Sequence, residues 1–385
     1  MSADALAPTE IGELHVAPPP ELVFRPGALG ELPAHVRRHG ARAFVVTDPG
    51  LESCGIAGRA REALERDGIP VATYCGISPN PTLEEADAGG AALRAFGPSV
   101  VVALGGGSPI DAAKAIALLA TNPGRRAVEL DYRRTPDAPA LPIVAIPTTA
   151  GTGAETNGFG VIADHERGEK VYVGHASCQP RVALLDPELT IGLPAAVTAA
   201  TGLDVVVHAV ESLQARTANP YATALALEAL RAAARWLPVA VEHGAELEAR
   251  AQMLLAAHLA TLAFSAGGTG LGTAHALAHA ISDRHGAAHG VALSAVFAPV
   301  VRLNVPERPE QSARAAHAMG APGDLEGAVV ALQERIRLRP SLTDLGVGRD
   351  DLEPLAARAA ADVVIQNAPR VPSHDELLAL LEAAL

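Results

Sequence analysis

The sequence predicts an α/β domain built on a parallel sheet, followed by an all-helical domain. Three observations carry this. As far as residue 185, short continuous apolar runs such as SVVVAL (99–104) alternate with helical stretches, the pattern of strands buried on both faces. From about Leu193 the chain is Ala/Leu-rich with helical spacing, and no further strand pattern follows. Between strand and helix at residues 104–120 lies a glycine run, the turn that α/β sheets place against a bound ligand.

In chain order, residues 1–22 read as a loose polar leader. Residues 23–40 hold a short apolar start and an amphipathic helix. Residues 41–47 (ARAFVVT) read as a buried strand, ended by Asp48-Pro49-Gly50. A helix near 55–67, a strand near 70–75 and a helix from the turn at 79–82 to about Phe96 follow. At the end of the next strand comes GGGSPIDAAKAIALLA. Ser108 is expected as helix N-cap, Pro109 as the first helical residue and Asp111 in the first turn. Its glycines let a backbone approach a pyrophosphate, which marks a Rossmann-like dinucleotide-binding domain. Residues 123–140 read as a polar loop. The strand at 141–146 runs into PTTAGTGAETNGFGVIAD, expected as a small-residue loop, and RVALL (181–185) is the last strand. Helices are expected over 195–235, 246–266, 273–284, 293–303, 310–319, 324–337, 350–363 and 374–385. The domains are thus expected at 23–190 and 191–385.

Composition limits the function. A net charge of −13 and a pI near 5.5 argue against nucleic acid or an anionic membrane as partner. No apolar run is expected to reach membrane-spanning length. Cys54, Cys75 and Cys178 are widely spread and form no CxxC, which suits a reducing cytoplasm. Of 30 basic residues only Lys114 and Lys170 are lysines. A compact ammonium and a planar guanidinium are not interchangeable at tight sites, so both positions attract interest.

The helical half carries the chemistry. GGTGLGTAHALAHAISDRHGAAHG (267–290) holds four of the chain's 14 histidines: His275, His279, His285 and His289. His275 and His279 share a helix face. His289 lies fourteen residues beyond His275, about 21 Å along a straight helix, so both can bind one ion only if the helix breaks between them, at Gly286. Upstream, GLDVVVHAVE sets Asp204 and His208 four apart. A carboxylate with two or three imidazoles suits a first-row divalent metal. A lone His on an apolar helix is usually a core residue; four in fifteen positions beside an Asp/His pair favour the metal. Spacing leaves open whether His275 or His279 is the ligand.

The sequence resembles the iron-containing (group III) alcohol dehydrogenase family from about residue 23 to the end. The matching pieces are VVTDPG, the turn at 79–82, GGGSPIDAAK, PTTAGTGAET, ALLDPELTIGLP, GLDVVVHAVES, GTAHALAHAIS and HGVALS, then TDLGV and NAPR. The resemblance implies the fold shared by iron-dependent alcohol dehydrogenases and dehydroquinate synthase-like enzymes, with an all-α metal-binding domain. It implies a metal, Fe2+ with Zn2+ as the alternative, held by Asp204, His208, His275 and His289, with His279 beside substrate and cofactor for proton transfer. Gly105, Gly106, Gly107 and Ser108 would hold the pyrophosphate, with Asp111 in the same motif. Thr148, Thr149, Gly151 and Lys170 would line the cofactor. Asp48 would accept the adenosine ribose hydroxyls and repel a 2′-phosphate, which points to NAD with NADP as the alternative. The implied activity is hydride transfer between nicotinamide and a small primary alcohol or aldehyde, in a cytoplasmic homodimer or larger homo-oligomer.

The run ISDRHGAAHG departs from the family pattern, as does VFRPGAL. Arg284 and His285 are expected close to the metal, where an Arg can hold an anionic aldehyde such as phosphonoacetaldehyde bidentately. In the other reading Arg284 faces solvent or pairs with Asp283. Three rivals are weaker. A glycerol-dehydrogenase-like zinc enzyme typically has one ligand fewer. A dehydroquinate-synthase-like enzyme needs basic residues not found arranged here. A catalytically dead binding module would not need a complete ligand set.

Overall fold

The computed structural model describes residues 14, 16, 18–167 and 169–385. The leader expected over 1–22 falls mostly outside these, and its last two residues instead begin a strand. The α/β unit contains β1 (Glu21–Phe24), α1 (Leu32–His39), β2 (Ala43–Val46), α2 (Pro49–Ser53), α3 (Ile56–Arg66), β3 (Val71–Tyr74), α4 (Leu83–Phe96), β4 (Val100–Gly105), α5 (Gly107–Thr121), β5 (Ile143–Pro147), β6 (Phe159–Asp164), β7 (Glu169–Gly174) and β8 (Val182–Leu185).

Six strands form one parallel sheet in the order β1-β8-β5-β4-β2-β3. Both faces are covered, as continuous apolar strands require. Val101 and Ala103 of β4 pack with α4 and α5, while Val100, Val102 and Leu104 pack with α1 and α3. Strand order reverses at β4, where the chain leaves the β2–β3 side for β5 and β8. The crevice at such a reversal is where α/β sheets bind ligands, and the glycine run sits there.

Two local expectations need correction. The helix after β4 starts at Gly107 with Gly106 as its N-cap, and no side chain caps it. Ser108 is therefore inside the first turn, where its hydroxyl donates to the Pro79 carbonyl at 2.7 Å. Pro109 and Asp111 lie correspondingly deeper in the helix. Gly105 adopts φ +155°, and a Cβ there would sit 2.5 Å from the Pro109 ring. That turn needs no hydroxyl to start a helix.

The segment after β5 is also more than a loop, because Phe159–Asp164 and Glu169–Gly174 pair as the antiparallel hairpin β6–β7. Its glycines hid the strand pattern. Gly160 is required because a Cβ would strike the backbone carbonyl of Asp111 on α5. Lys114, fully buried, clamps the hairpin to α5. Its ammonium donates to Asn157 Oδ1 (2.8 Å) and the Phe159 carbonyl (2.6 Å), and lies 3.4 Å from Asp111 Oδ1. Asp111 Oδ2 in turn accepts from Val161 N–H. Three acceptors around one nitrogen suit an ammonium and not a planar guanidinium.

The helical unit comprises α6 (Ala195–Gln214), α7 (Pro220–Glu242), α8 (Leu247–Phe264), α9 (Thr273–His285), α10 (His289–Asn304), α11 (Pro309–Ala318), α12 (Leu325–Arg335), α13 (Leu352–Ala361) and α14 (His374–Ala384). The stretch expected as one helical region over 195–235 is broken near 215–219, where Asn219 caps α7. By length and composition alone α6 is long and apolar enough to cross a membrane, yet it is mostly buried as a core helix of this unit.

Replacing Lys114 with Met would leave the Asp111 carboxylate, 18% exposed, without its cation, at a cost below the ~3–5 kcal/mol of a fully buried unpaired charge. We expect Lys114→Met to lower the urea midpoint substantially and Lys114→Arg to lower it too, through overpacking. Wild-type midpoints in both variants would show that the clamp adds nothing.

Candidate metal and cofactor site

The buried helix α6 carries Asp204 and His208 on one face, a turn apart. α9 brings His275 and His279. It ends at Gly286, whose left-handed φ of +67° turns the chain so that α10 opens on His289. Asp204 Oδ1 is the focus. His208 Nε2 lies 3.2 Å from it, His275 Nε2 3.3 Å and His289 Nε2 3.9 Å. Asp204, His208 and His275 form a buried set whose ligand atoms all lie within 4.8 Å of one another.

Asp204 Oδ1 and His275 Nε2 are buried and have no hydrogen-bond partner. Orphaned polar atoms in a core are costly unless something else satisfies them. A divalent cation among one carboxylate oxygen and several imidazole nitrogens does so, and the donor types fit iron or zinc. The residues present therefore fit a metal.

Two carboxylates that sequence reasoning missed orient these imidazoles. Glu211, two turns beyond Asp204 on α6, accepts from His275 Nδ1 at 2.6 Å and from the Gly272 and Ala274 N–H groups at 2.8 and 2.7 Å. It ties the start of α9 to α6. An acid three residues after His208 in GLDVVVHAVES was the available signal. Asp362 Oδ2 accepts from His279 Nδ1 at 2.7 Å, which leaves Nε2 as the free nitrogen of that ring. Asp362 lies 83 residues from His279 and carried no sequence signal.

The electrostatics follow. Burial alone would raise Asp204, but His208 and His275 beside it hold it below the usual carboxylate range. Burial lowers His208 to about 4 against the pull of Asp204, and enclosure holds His289 well below the ordinary histidine value. His275 differs. Burial disfavours its charge, yet Glu211 and Asp204 flank it and raise it to about 9.

A cleft of about 210 Å³ joins the two units. Gly107 and Ser108 line one end, and Asp204, His208, His275, His279 and His289 line the other. Phe159, Tyr172, Phe264 and Leu271 form apolar walls, and Lys170 also lines it. Asp111 borders the cleft, but its oxygens serve Lys114 and Val161 N–H, so its part is to hold the hairpin. Gly105, Gly106, Thr148, Thr149 and Gly151 stand behind the lining. Thr148 N–H donates to the Gly105 carbonyl, and a Cβ on Gly106 would sit 3.3 Å from the Thr149 side chain. Gly151 admits α6, since a Cβ there would sit 2.8 Å from Thr201 Cβ. Asp48 is apart, at the carboxyl end of β2, where Oδ1 caps α2 by accepting from Leu51 N–H at 3.0 Å.

Arg284 and His285 do not line the cleft, so the reading that sets them beside the metal fails and the solvent-facing reading of Arg284 holds. Arg284 is half exposed and donates to Asp351 Oδ1 at 3.0 Å, and His285 Nε2 lies 3.9 Å from the same oxygen. The partner is Asp351, not Asp283. A larger cavity of about 350 Å³ lies near α10, α12 and the chain end, away from the histidines, and its Arg302 is paired with Glu326.

Comparison with known proteins places these features. Residues 19–187 match the iron-containing alcohol dehydrogenase family, and residues 198–385 match the Fe-containing alcohol dehydrogenase C-terminal family. The chain is 35% identical over 373 residues to alcohol dehydrogenase 4 of Schizosaccharomyces pombe, covering 94% of this chain and 87% of that one. A solved 1,3-propanediol oxidoreductase shares a TM-score of 0.93 at 34% identity, over 97% of this chain and all 100% of that one. Sulfoacetaldehyde reductase from Bifidobacterium kashiwanohense, solved with NAD+, gives 0.89 at 28% identity over 97% and 99%.

The flanking carboxylates generate a prediction. In the metal-free protein His275 carries a proton at neutral pH, because its folded value of about 9 lies above that pH. Asp204 is already ionised and His208 already neutral. A divalent ion that takes His275 Nε2 must displace one proton. We expect close to one proton released per ion at pH 7.5, measured with an indicator in weak buffer, and affinity that rises with pH until about 9. No proton release would overturn the charged His275 of the metal-free protein.

Proposed function

The chain belongs to the iron-containing alcohol dehydrogenase family, and from that premise we propose that it interconverts a small primary alcohol and its aldehyde with NAD and a divalent metal. One observation carries the site assignment: three imidazole Nε2 atoms converge on the buried, unpartnered Oδ1 of Asp204. We assign Asp204, His208, His275 and His289 as the metal ligands. Iron is the family's metal, and zinc suits the same donors. When bound, the ion supplies electrophilic polarisation of a carbonyl oxygen and the nicotinamide gives or takes hydride.

The remaining work belongs to the chain's own residues. Glu211 fixes His275 through Nδ1, so that Nε2 faces Asp204. Asp362 fixes His279 in the same way, which leaves His279 Nε2 to take or return the alcohol proton. Gly105, Gly106, Gly107 and Ser108 form a turn open to a pyrophosphate at the N-terminus of α5, supported from behind by Thr148, Thr149 and Gly151. Lys170 offers its ammonium to the cofactor from the hairpin. Phe159, Tyr172, Phe264 and Leu271 exclude water from the reacting end. At the far end, Asp48 has one oxygen committed to the Leu51 N–H and presents its charge where a 2′-phosphate would lie, which favours NAD over NADP. A homo-oligomeric, cytoplasmic enzyme completes the proposal, and the three free cysteines support the compartment. The anionic-aldehyde alternative loses its carrier with Arg284 turned to Asp351.

Absorbance of NADH with iron-loaded protein and a panel of small aldehydes tests this directly. His208→Ala or His289→Ala should lose bound metal, by elemental analysis, together with activity. His279→Asn should keep the metal and lose about 10²–10⁴-fold in kcat, the usual reach of general acid–base catalysis. Metal loss from His279→Asn with retention in His275→Asn would reverse the assignment.

Cofactor choice is tested at Asp48. Asp48→Ser should raise kcat/KM with NADPH relative to NADH by about tenfold, the factor carried by 1.4 kcal/mol of relieved repulsion. A wild-type enzyme that already prefers NADPH would remove this role.

A further inference from the structure

Among the described residues lining the cleft, Lys170 is the one Lys or Arg. Its surroundings decide whether that charge is available to a substrate. Lys170 Nζ lies 3.7 Å from Asp283 Oδ1 on α9, and their side chains are 17% and 12% exposed. Arg358 on α13 reaches the other oxygen of Asp283 at 3.5 Å and Glu169 Oε2 on β7 at 3.5 Å. The four groups alternate in sign, join the hairpin to α9 and α13, and sum to zero. Asp283 comes four residues after His279 on α9, so it shares the face that the histidine turns to the cleft. The side-chain exposures of Lys170 and Asp283 are low enough that solvent screens their interaction far less than that of a surface pair.

We propose that Asp283 is a specificity-determining residue: by neutralising Lys170 it makes the cleft select neutral over anionic aldehydes. This rests on the proposed reaction and names its substrate class. Asp283 touches neither substrate nor metal in this role and acts through Lys170. A residue that only anchored the hairpin, or only aimed Lys170 at the cofactor, would change the rate with every aldehyde alike. A charge-compensating residue changes the ratio between aldehydes of different charge.

The test uses the full-length, metal-loaded enzyme with NADH. The quantity read is the ratio of kcat/KM for sulfoacetaldehyde to that for propionaldehyde, beside the Kd of unreactive 1-propanesulfonate by calorimetry. The wild type should favour propionaldehyde. Asp283→Asn, close to isosteric, should raise the anionic-to-neutral ratio about tenfold and tighten propanesulfonate by a similar factor. The double variant with Lys170→Gln should lose that gain. Arg358→Gln should move the ratio the opposite way, because Asp283 then acts on Lys170 alone; it also decides the matter if Asp283→Asn does not fold. A wild type that prefers sulfoacetaldehyde, or ratios and Kd values unchanged across the variants, would overturn the proposal. If no aldehyde oxidises NADH, the proposed reaction fails, and the propanesulfonate Kd series still decides whether Asp283 masks Lys170.

Discussion

The burial of one carboxylate oxygen constrains the rest of this structure. α6 is apolar enough to need a core around most of its length, yet it carries Asp204, His208 and Glu211 into that core. Buried acids are tolerated only when paired. Everything around α6 can be read as the pairing. α9 enters with its first N–H groups on Glu211, a close approach that explains Gly272, since a Cβ there would sit 2.9 Å from Glu211 Oε1. α9 then stops at Gly286 so that α10 can return His289 to the same oxygen. The histidine rings complete the wall by packing on one another: His208 and His275 lie parallel with centroids 4.8 Å apart, and His279 stacks near His289 at 5.4 Å. The site is thus part of the core of the helical unit, and a structural and a functional role for these residues are not alternatives.

Much of this was legible in the sequence, and the reasons differ by element. The sheet strands are continuous apolar runs because helices cover both faces, and such runs stand out whatever the flanking turns. The break at Gly286 follows from arithmetic, since one ion cannot reach across fourteen residues of straight helix. The hairpin β6–β7 did not show because its composition serves close approach to α5. Gly160 is there to let the backbone touch Asp111, and a glycine within a strand erases the alternation that would reveal it. Glu211 was readable as an acid on the ligand face of α6. Asp362 was not, because only the folded chain brings it to His279.

The misplacement of Arg284 also has a geometric cause. Nearness in sequence to two ligands suggested nearness in space, but a helix turns by about 100° per residue. Arg284 is nine residues after His275, about 180° round the axis, so it leaves α9 on the opposite side and meets Asp351. Asp283, one residue earlier and four after His279, stays on the cleft side. Within the run ISDRHGAAHG, helical phase decides which side chain faces the Lys170 side and which faces solvent.

The glycine turn belongs to the α/β unit and the histidine cluster to the helical unit, so in the proposed reaction the distance between them is set by contacts between the units. Several of these are buried. Leu254 of α8 packs on Ala183 and Leu185 of β8. Thr261 donates to the Thr152 carbonyl at 3.0 Å, and His258 meets Glu155 at 2.9 Å with both side chains 2% exposed. Gly153, left-handed at φ +57°, admits Thr261 so closely that no Cβ could fit. A buried polar pair contributes little net stability compared with apolar packing, but it is satisfied in one register only. At a boundary where a displacement of about 1 Å can cost 10²-fold in rate, directional contacts do what apolar packing between the units would leave free to slide: they fix the glycine run of one unit against the histidines of the other.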